Sequence, residues 1–173
     1  MALIVTPGAD NANSYATLAE ADQYHDERLH NSAWTGAGDP TKEAALIWGA
    51  RTLDANFRWK GRKATDTQSM QWPRFGVYDY NDYLIASDEI PVAVKYAQSE
   101  LAFLLIEGDR TIAADPTPDA VREVKLGSIT LKFDSEKMQA ALASSVVVLV
   151  QDLGSFVGAG KPGGGAVLRL VRA

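Results

Sequence analysis

Apolar residues three and four positions apart predict a helix that begins directly after Thr17. Thr17 and Glu20 form the T-x-x-E pattern of a capping box, in which each side chain accepts a hydrogen bond from the backbone N–H of the other residue. The segment NSAWTGAG then interrupts the pattern and is expected to end the helix. The apolar side of this helix is predicted to contain Leu18, Ala21, Tyr24 and Leu29.

A second helix is predicted in the segment TKEAALIWGARTLDANF. Asp39 precedes it as the predicted N-cap, and Pro40 stands in the first turn, where its missing backbone N–H costs no hydrogen bond. The apolar positions are less regular than in the first helix. They fall in two stripes, one with Ala45, Trp48 or Gly49, Thr52 and Ala55 or Asn56, and one with Leu46, Ala50 and Leu53.

The clearest helical pattern lies between residues 90 and 107. Ser87 or Asp88 is the predicted N-cap, Pro91 falls in the first turn, and Gly108 ends the helix. Because most of its positions are apolar, we expect this helix to be buried and central. Its apolar stripe is Ile90, Val94, Ala97, Leu101 and Leu104, and its polar strip is Lys95, Gln98, Ser99 and Glu100.

About thirty residues between the second and third helices show no clean periodicity. A structureless segment of this length is uncommon inside a compact domain and is typically functional or held by packing. The segment contains SMQWPRFGVYDY, which is unusually aromatic for a connection. The residues predicted to supply the packing are Trp59, Met70, Trp72, Phe75, Tyr78, Tyr80 and Tyr83.

The C-terminal third predicts a β-hairpin, a further helix and an arm. Alternating apolar residues on both sides of Gly127 and Ser128 predict the hairpin near residues 121–133. Ser135 can cap a helix in EKMQAALASSVVVLVQDLGSF, although the valine-rich half also suits a strand. Residues 158–173 are glycine-rich and end in AVLRLVRA. This arm is either inert or adds as a strand to a neighbouring subunit or partner, through Val167, Leu168, Leu170 and Val171.

These elements predict a mainly α fold. We expect a small bundle of about four helices, with the hairpin near residues 121–133 and an extended glycine-rich C-terminal arm. Residues 1–157 would form one domain and residues 158–173 the arm. The longest apolar runs, LAFLLI and SSVVVLV, are far shorter than the roughly 20 residues of a membrane-spanning helix, so no membrane partner is expected.

The charge of the chain is −5, and it is distributed unevenly. Residues 51–74 carry six basic and two acidic side chains, whereas the segments on both sides are acidic. A basic island of this kind can pair with acidic groups of the same chain, with acidic subunits or with nucleic-acid phosphate. The candidates for such charge pairing or DNA contact are Arg58, Lys60, Arg62 and Lys63.

No catalytic, cofactor-binding or metal-binding residue is predicted. The chain has no cysteine, and its two histidines, His25 and His30, point to different faces of a helix. The serine-nucleophile motif G-x-S-x-G does not occur. Residues 158–163 match G-x-G-x-x-G in letters only, because no helix can follow them to receive a pyrophosphate. We therefore expect a protein that is not an enzyme.

Three stretches carry a resemblance to a known family. They are SYATLAEADQYHDERLHNSAW, EAALIWGARTLDANFRWKGRK and QSMQWPRFGVYDYNDYLIASDEIPVAVKYAQSELA, which together span about residues 14–102. In order and spacing this set resembles the head–tail connector (adaptor) proteins of tailed bacteriophages. Some relatives of those proteins are labelled DnaT-like single-stranded-DNA-binding proteins. The hairpin, the last helix and the arm lie outside the resemblance.

The resemblance implies a structural virion protein that forms a ring, a dodecamer by analogy, beneath the portal protein. The ring would extend the channel for double-stranded DNA and dock a tail-proximal connector or tail-completion protein. The expected location is the head–tail junction of the virion, and the host cytoplasm during assembly. No cofactor is implied. The subunit or partner interface would include Trp72, Pro73, Arg74 and Phe75, together with the apolar residues of the arm.

The alternative prediction is a module that binds single-stranded DNA. Trp59, Trp72 and Phe75 would stack on bases, while the arginines and lysines of residues 58–75 would contact phosphates. The overall negative charge argues against this alternative, as does the expectation that both tryptophans lie in the core.

Overall fold

The structure is a computed structural model, and it describes residues 2–108, 123–126, 129–132 and 144–156. The described part is mainly helical, with small two-stranded antiparallel sheets. In chain order its elements are α1 (Leu18–Asp26), α2 (Ser32–Thr35), α3 (Asp39–Asn56), β1 (Phe57–Trp59), β2 (Arg62–Lys63), β3 (Arg74–Phe75), α4 (Val92–Glu107), β4 (Glu123–Leu126), β5 (Ile129–Lys132), α5 (Ser144–Val150) and β6 (Gly154–Phe156).

Helix α1 begins with the predicted capping box. The backbone N–H of Glu20 donates to Thr17 Oγ1 at 3.1 Å, and the backbone N–H of Thr17 donates to Glu20 Oε2 at 2.7 Å. The helix ends at Asp26, so Leu29 lies beyond it and is 83% exposed. The prediction that Leu29 extends the apolar stripe was therefore wrong. The buried positions of α1 are Ala21 and His25.

The segment predicted only as a break contains the short helix α2. Trp34 on this helix is buried, and its indole Nε1 donates to Asp22 Oδ1 at 2.8 Å. Burial of the Trp34 ring thus stabilises a helical turn that the local sequence disfavours. The N-cap of α3 is Gly38, with extended backbone, and Asp39 and Pro40 are the first helical residues. The predicted cap at Asp39 was wrong by one position.

Helix α4 lies at the centre of the core and contacts α1, α2, α3 and α5. It packs closely on α3 at Gly49, where an added Cβ would stand 3.3 Å from the carbonyl oxygen of Gln98. Helix α4 begins at Val92 with Pro91 as its N-cap, because the residues before Pro91 are not helical. The predicted caps at Ser87 or Asp88 were wrong, whereas the predicted end at Gly108 is confirmed.

The polar strip predicted for α4 is mostly interior. Gln98, Ser99 and Glu100 are buried, because each has partners inside the protein. The Gln98 amide, which is fully buried, accepts from the backbone N–H groups of Tyr15 and Ala16 and donates to Ser14 and to the Leu46 carbonyl. The Glu100 carboxylate accepts two hydrogen bonds from Arg28, at 2.9 and 3.1 Å.

The C-terminal elements agree in part with the prediction. Strands β4 and β5 pair antiparallel from Glu123 with Lys132 to Leu126 with Ile129, which confirms the hairpin. The last helix, α5, is short, and the chain then forms β6, which pairs antiparallel with β1. The prediction that the helix continues through residue 156 was wrong, since the helix ends at Val150. Residues 154–156 form β6 instead, because Gly154 lets this strand approach the backbone of Arg58 closely.

The coarse prediction of a mainly helical fold holds for the described residues. The predicted domain boundary at residues 157 and 158 and the arm with Val167, Leu168, Leu170 and Val171 lie outside these residues, so both stay predictions. Among the helices that the structure describes, none has the length and apolar character needed to cross a bilayer.

Candidate nucleic-acid interface

The aperiodic segment between α3 and α4 is held by strand pairing and by hydrogen bonds of a buried side chain. Strand β1 pairs with β6, and β2 pairs with β3. The buried Gln68 side chain donates to the carbonyls of Met70 and Pro73, at 2.9 and 3.0 Å, and accepts from the backbone N–H of Thr65. This segment is therefore a set of short strands and turns with fixed geometry.

The half-buried carboxylate of Asp54 and the buried phenol of Tyr15 anchor the segment to α3. The Tyr15 hydroxyl donates to Asp54 Oδ1 at 2.5 Å, and the backbone N–H of Gln71 donates to Asp54 Oδ2 at 3.1 Å. Burial raises the pKa of Tyr15 well above its ordinary value, and the Asp54 carboxylate raises it further. Burial also raises the pKa of Asp54. Since both groups bind the segment, their arrangement is structural.

The aromatic residues of the segment divide into an inner and an outer set. Trp59, Met70 and Trp72 are buried, and the two indole rings meet edge to face at 5.7 Å. Packing by these three residues is confirmed. The other four, predicted to pack as well, are exposed: Phe75 by 54%, Tyr78 by 53%, Tyr80 by 82% and Tyr83 by 72%. The predicted base stacking by Trp59 and Trp72 was wrong, because neither ring is accessible.

Arg74, a predicted interface residue, is 7% exposed and points inward. Its guanidinium donates to the carbonyl oxygens of Lys60 at 2.6 Å, Gly61 at 2.8 Å and Gln71 at 3.0 Å. Burial lowers the pKa of this guanidinium. Trp72 and Pro73 beside it are also buried. Of the four residues from 72 to 75, only Phe75 is placed where a partner can touch it.

Two basic side chains of the island, Arg62 and Lys63, line an open hollow beside β2 and β3. Arg58, Lys60 and Arg62 are exposed and Lys63 is half-buried. The Arg62 guanidinium lies over the ring of Phe75, 5.0 Å from its centroid. We call this hollow the basic hollow, and it is lined by Arg62, Lys63, Ala64, Thr65, Asp66, Phe75 and Ser87.

Glycine is required at one point of this site. Gly61 has φ +65°, and a Cβ there would lie 2.3 Å from the carbonyl oxygen of Phe75. The glycine thus lets the turn before β2 pass close to β3, which sets Arg62 opposite Phe75 in the strand register.

A turn with three exposed tyrosines follows Phe75 and precedes Ser87, both of which line the basic hollow. Residues 78–84, which we call the tyrosine turn, are closed by a bridge between Tyr78 and Leu84. The sequence predicted these tyrosines as packing residues and missed them as surface groups. The signal that was available is their spacing around Asn81 and Asp82, residue types typical of tight turns at the surface.

No cluster of metal-ligating side chains occurs in the described part of the chain. Within those residues, no three histidine, aspartate or glutamate side chains lie close enough to hold a metal ion. His25 is buried in α1, with Nε2 at 3.1 Å from the carbonyl oxygen of Ser99, and His30 is exposed beyond the helix.

Comparison with known proteins identifies a family to which the chain is similar. A family model described as "Putative DnaT-like ssDNA binding protein" matches residues 1–173, the whole chain. No curated protein and no solved structure gives a significant match. The match shows no head–tail connector family, so that prediction was wrong. The predictions that depended on it were wrong as well, namely the dodecameric ring, the portal and tail partners and the channel for double-stranded DNA.

Proposed function

Because the chain belongs to the family of DnaT-like single-stranded-DNA-binding proteins, we propose that it binds single-stranded DNA through the basic hollow. Proteins of this kind combine cations that follow the phosphate backbone with aromatic faces on which bases stack. The basic hollow supplies both kinds of group on one accessible surface.

The observation that carries the proposal is the pairing of Arg62 with the exposed ring of Phe75. An arginine held over an aromatic ring keeps its guanidinium edge available for a phosphate, and both planes are surfaces on which a base can stack. The short β2–β3 pairing fixes Arg62 opposite Phe75. The pair is thus positioned before any ligand arrives, which lowers the entropic cost of binding.

The surrounding charges suit a phosphate chain. Arg58 and Lys60 are exposed on the strand and turn before Arg62, so three cations follow one another at alternate positions. Lys63 extends the set, although its ammonium also donates to the carbonyl of Gln68 at 3.1 Å. With four cations at most, we expect modest affinity and a strong dependence on salt.

Titration of a fluorescently labelled oligothymidine, followed by anisotropy at several salt concentrations, tests the proposal. For three or four phosphate contacts, the logarithm of the binding constant should fall with the logarithm of salt concentration with a slope of about −2 to −3. Arg62→Met should weaken binding and reduce the slope by about 0.7. Phe75→Ser should weaken binding with little change in the slope.

Arg51→Met is the matched control, because Arg51 is exposed on α3, outside the basic hollow. The control should bind as the wild type does. If the wild type does not bind oligothymidine at low salt, or if Arg51→Met and Arg62→Met lose the same affinity, the proposed site is refuted. The predictions that the chain is not an enzyme and that it is located in the virion stay predictions.

A further inference from the structure

The tyrosine turn lies in sequence between two residues that line the basic hollow. Phe75 and Ser87, on its two sides in sequence, both line the hollow. Between them, the backbone N–H of Ile85 donates to the carbonyl of Val77 at 2.9 Å and closes the base of the turn. A strand of DNA that leaves the hollow on this side therefore meets the turn next.

The turn is ordered by its own hydrogen bonds. Asp79 Oδ1 accepts from the backbone N–H groups of Asn81 and Tyr83, both at 2.9 Å. The backbone N–H of Asp79 donates to the carbonyl of Tyr83 at 2.9 Å, and Asp82 adopts φ 62°, a conformation that aspartate and asparagine tolerate. The tyrosines are thus held out from a fixed backbone.

Tyr80 and Tyr83 are among the most exposed large side chains of the described residues, at 82% and 72%. Because the backbone of the turn is already ordered, covering these rings costs little backbone conformational entropy. We propose that the tyrosine turn is a base-stacking subsite, which continues the path of a single strand from the basic hollow. This inference rests on the proposed function and adds a second contact region to it.

The charges of the turn favour bases as its ligand over phosphates. No lysine or arginine occurs between Arg74 and Lys95, and Asp82 is exposed. Phosphates are therefore attracted to the hollow and repelled by the turn, whereas the neutral faces of unpaired bases can stack on tyrosine. Bases in a duplex are already stacked on each other, so the subsite should select single strands.

The test compares a thymidine trimer, short enough for the hollow alone, with an oligothymidine of about twelve nucleotides, a length within the range of single-strand site sizes. The double variant Tyr80→Ser, Tyr83→Ser should bind the long strand roughly tenfold more weakly, the loss expected for one stacked base. It should keep the affinity for the trimer and the salt dependence of the wild type.

Two control variants separate stacking from other effects. Tyr80→Phe, Tyr83→Phe keeps both rings and should bind the long strand as the wild type does. Leu29→Ser removes an equally exposed apolar side chain elsewhere and should change nothing. If the serine variant keeps the long-strand affinity, or if the phenylalanine variant loses as much as the serine variant, the stacking subsite is refuted.

Asp82→Asn provides an independent check, because asparagine keeps the backbone conformation and removes one negative charge. We expect the long strand to bind a few-fold more tightly at low salt, with no change for the trimer. Unchanged long-strand binding would contradict a path over the turn. The two failures are distinguishable. If the proposed function is wrong, the wild type binds neither oligonucleotide. If only the stacking subsite is wrong, the wild type still binds the trimer, and Arg62→Met still weakens that binding.

Discussion

Replacing Arg74 with methionine tests whether this arginine holds the basic strand in place or contacts a ligand. Methionine retains much of the buried volume and removes the guanidinium. The carbonyl oxygens of Lys60 and Gly61, which accept from Arg74 at 2.6 and 2.8 Å, then lose a charged donor. These two residues lie directly before Arg62, so Arg74 fixes the backbone from which the exposed cations project.

The two short hydrogen bonds set the expected magnitude. A hydrogen bond to a charged group contributes at least about 1.5 kcal/mol, so their loss should lower the free energy of unfolding by about 3 kcal/mol. The longer bond to the Gln71 carbonyl adds nothing to this figure, because water can replace part of the lost contacts. For a urea m-value of about 2 kcal/mol per M, the unfolding midpoint should fall by about 1.5 M.

Urea denaturation followed by tryptophan fluorescence measures this change, because Trp59 and Trp72 are buried beside the arginine. Arg62→Met is the matched control. It makes the same chemical change at an exposed position and should alter stability by less than about 0.5 kcal/mol. Equal midpoints for Arg74→Met and the wild type would refute the structural role, as would equal losses in the two variants.

Two further predictions concern the interior. Gln98→Leu leaves the buried backbone N–H groups of Tyr15 and Ala16 without an acceptor and should cost about 2–6 kcal/mol in urea denaturation. The same change at the exposed Gln23 should cost almost nothing, and comparable losses would contradict the prediction. Burial lowers the pKa of His25, so the neutral form stabilises the fold above the unfolded pKa of about 6.5 and stability is lost as the pH falls below it. Thermal unfolding should show a smaller decrease from neutral to mildly acidic pH in His25→Gln, and an equal decrease would refute this role.

Local signals in the sequence predicted those features that depend on neighbouring residues alone. The capping box of Thr17 and Glu20 involves residues three apart, and the end of α4 was predicted from the position of Gly108 alone. The β4–β5 hairpin follows from alternation across a short turn. In each case the partners are close in sequence, so the pattern and the structure carry the same information.

Features that depend on distant partners could not be predicted in this way. Gln98 was assigned to the polar strip of α4 because it is polar, yet its side-chain oxygen accepts a hydrogen bond from the backbone N–H of Tyr15, 83 residues earlier. Glu100 is buried for the same reason, since its partner Arg28 follows the end of α1 and lies 72 residues away in sequence. A polar side chain in a helix reveals its burial only when its partner is known.

The same limit applies to the basic island. The sequence shows six basic side chains in residues 51–74, but it does not show that Arg74 satisfies its donors with carbonyls of the same segment. A count of charges therefore overstates what this region can offer to phosphate. The exposed set is smaller, and its position depends on the buried member.

Burial also explains why the resemblance to connector proteins led to the wrong function. The stretches that carry it contain many residues that the structure places inside, among them Tyr15, Trp34, Trp72 and Arg74. Such residues constrain how the chain folds, and one fold can serve several functions. Function depends instead on groups that a ligand can reach, which in the proposed site are Arg62, Phe75 and the tyrosine turn. A motif that consists of core residues therefore indicates the fold of the chain. Its function has to be tested by substituting the exposed groups that a ligand can contact.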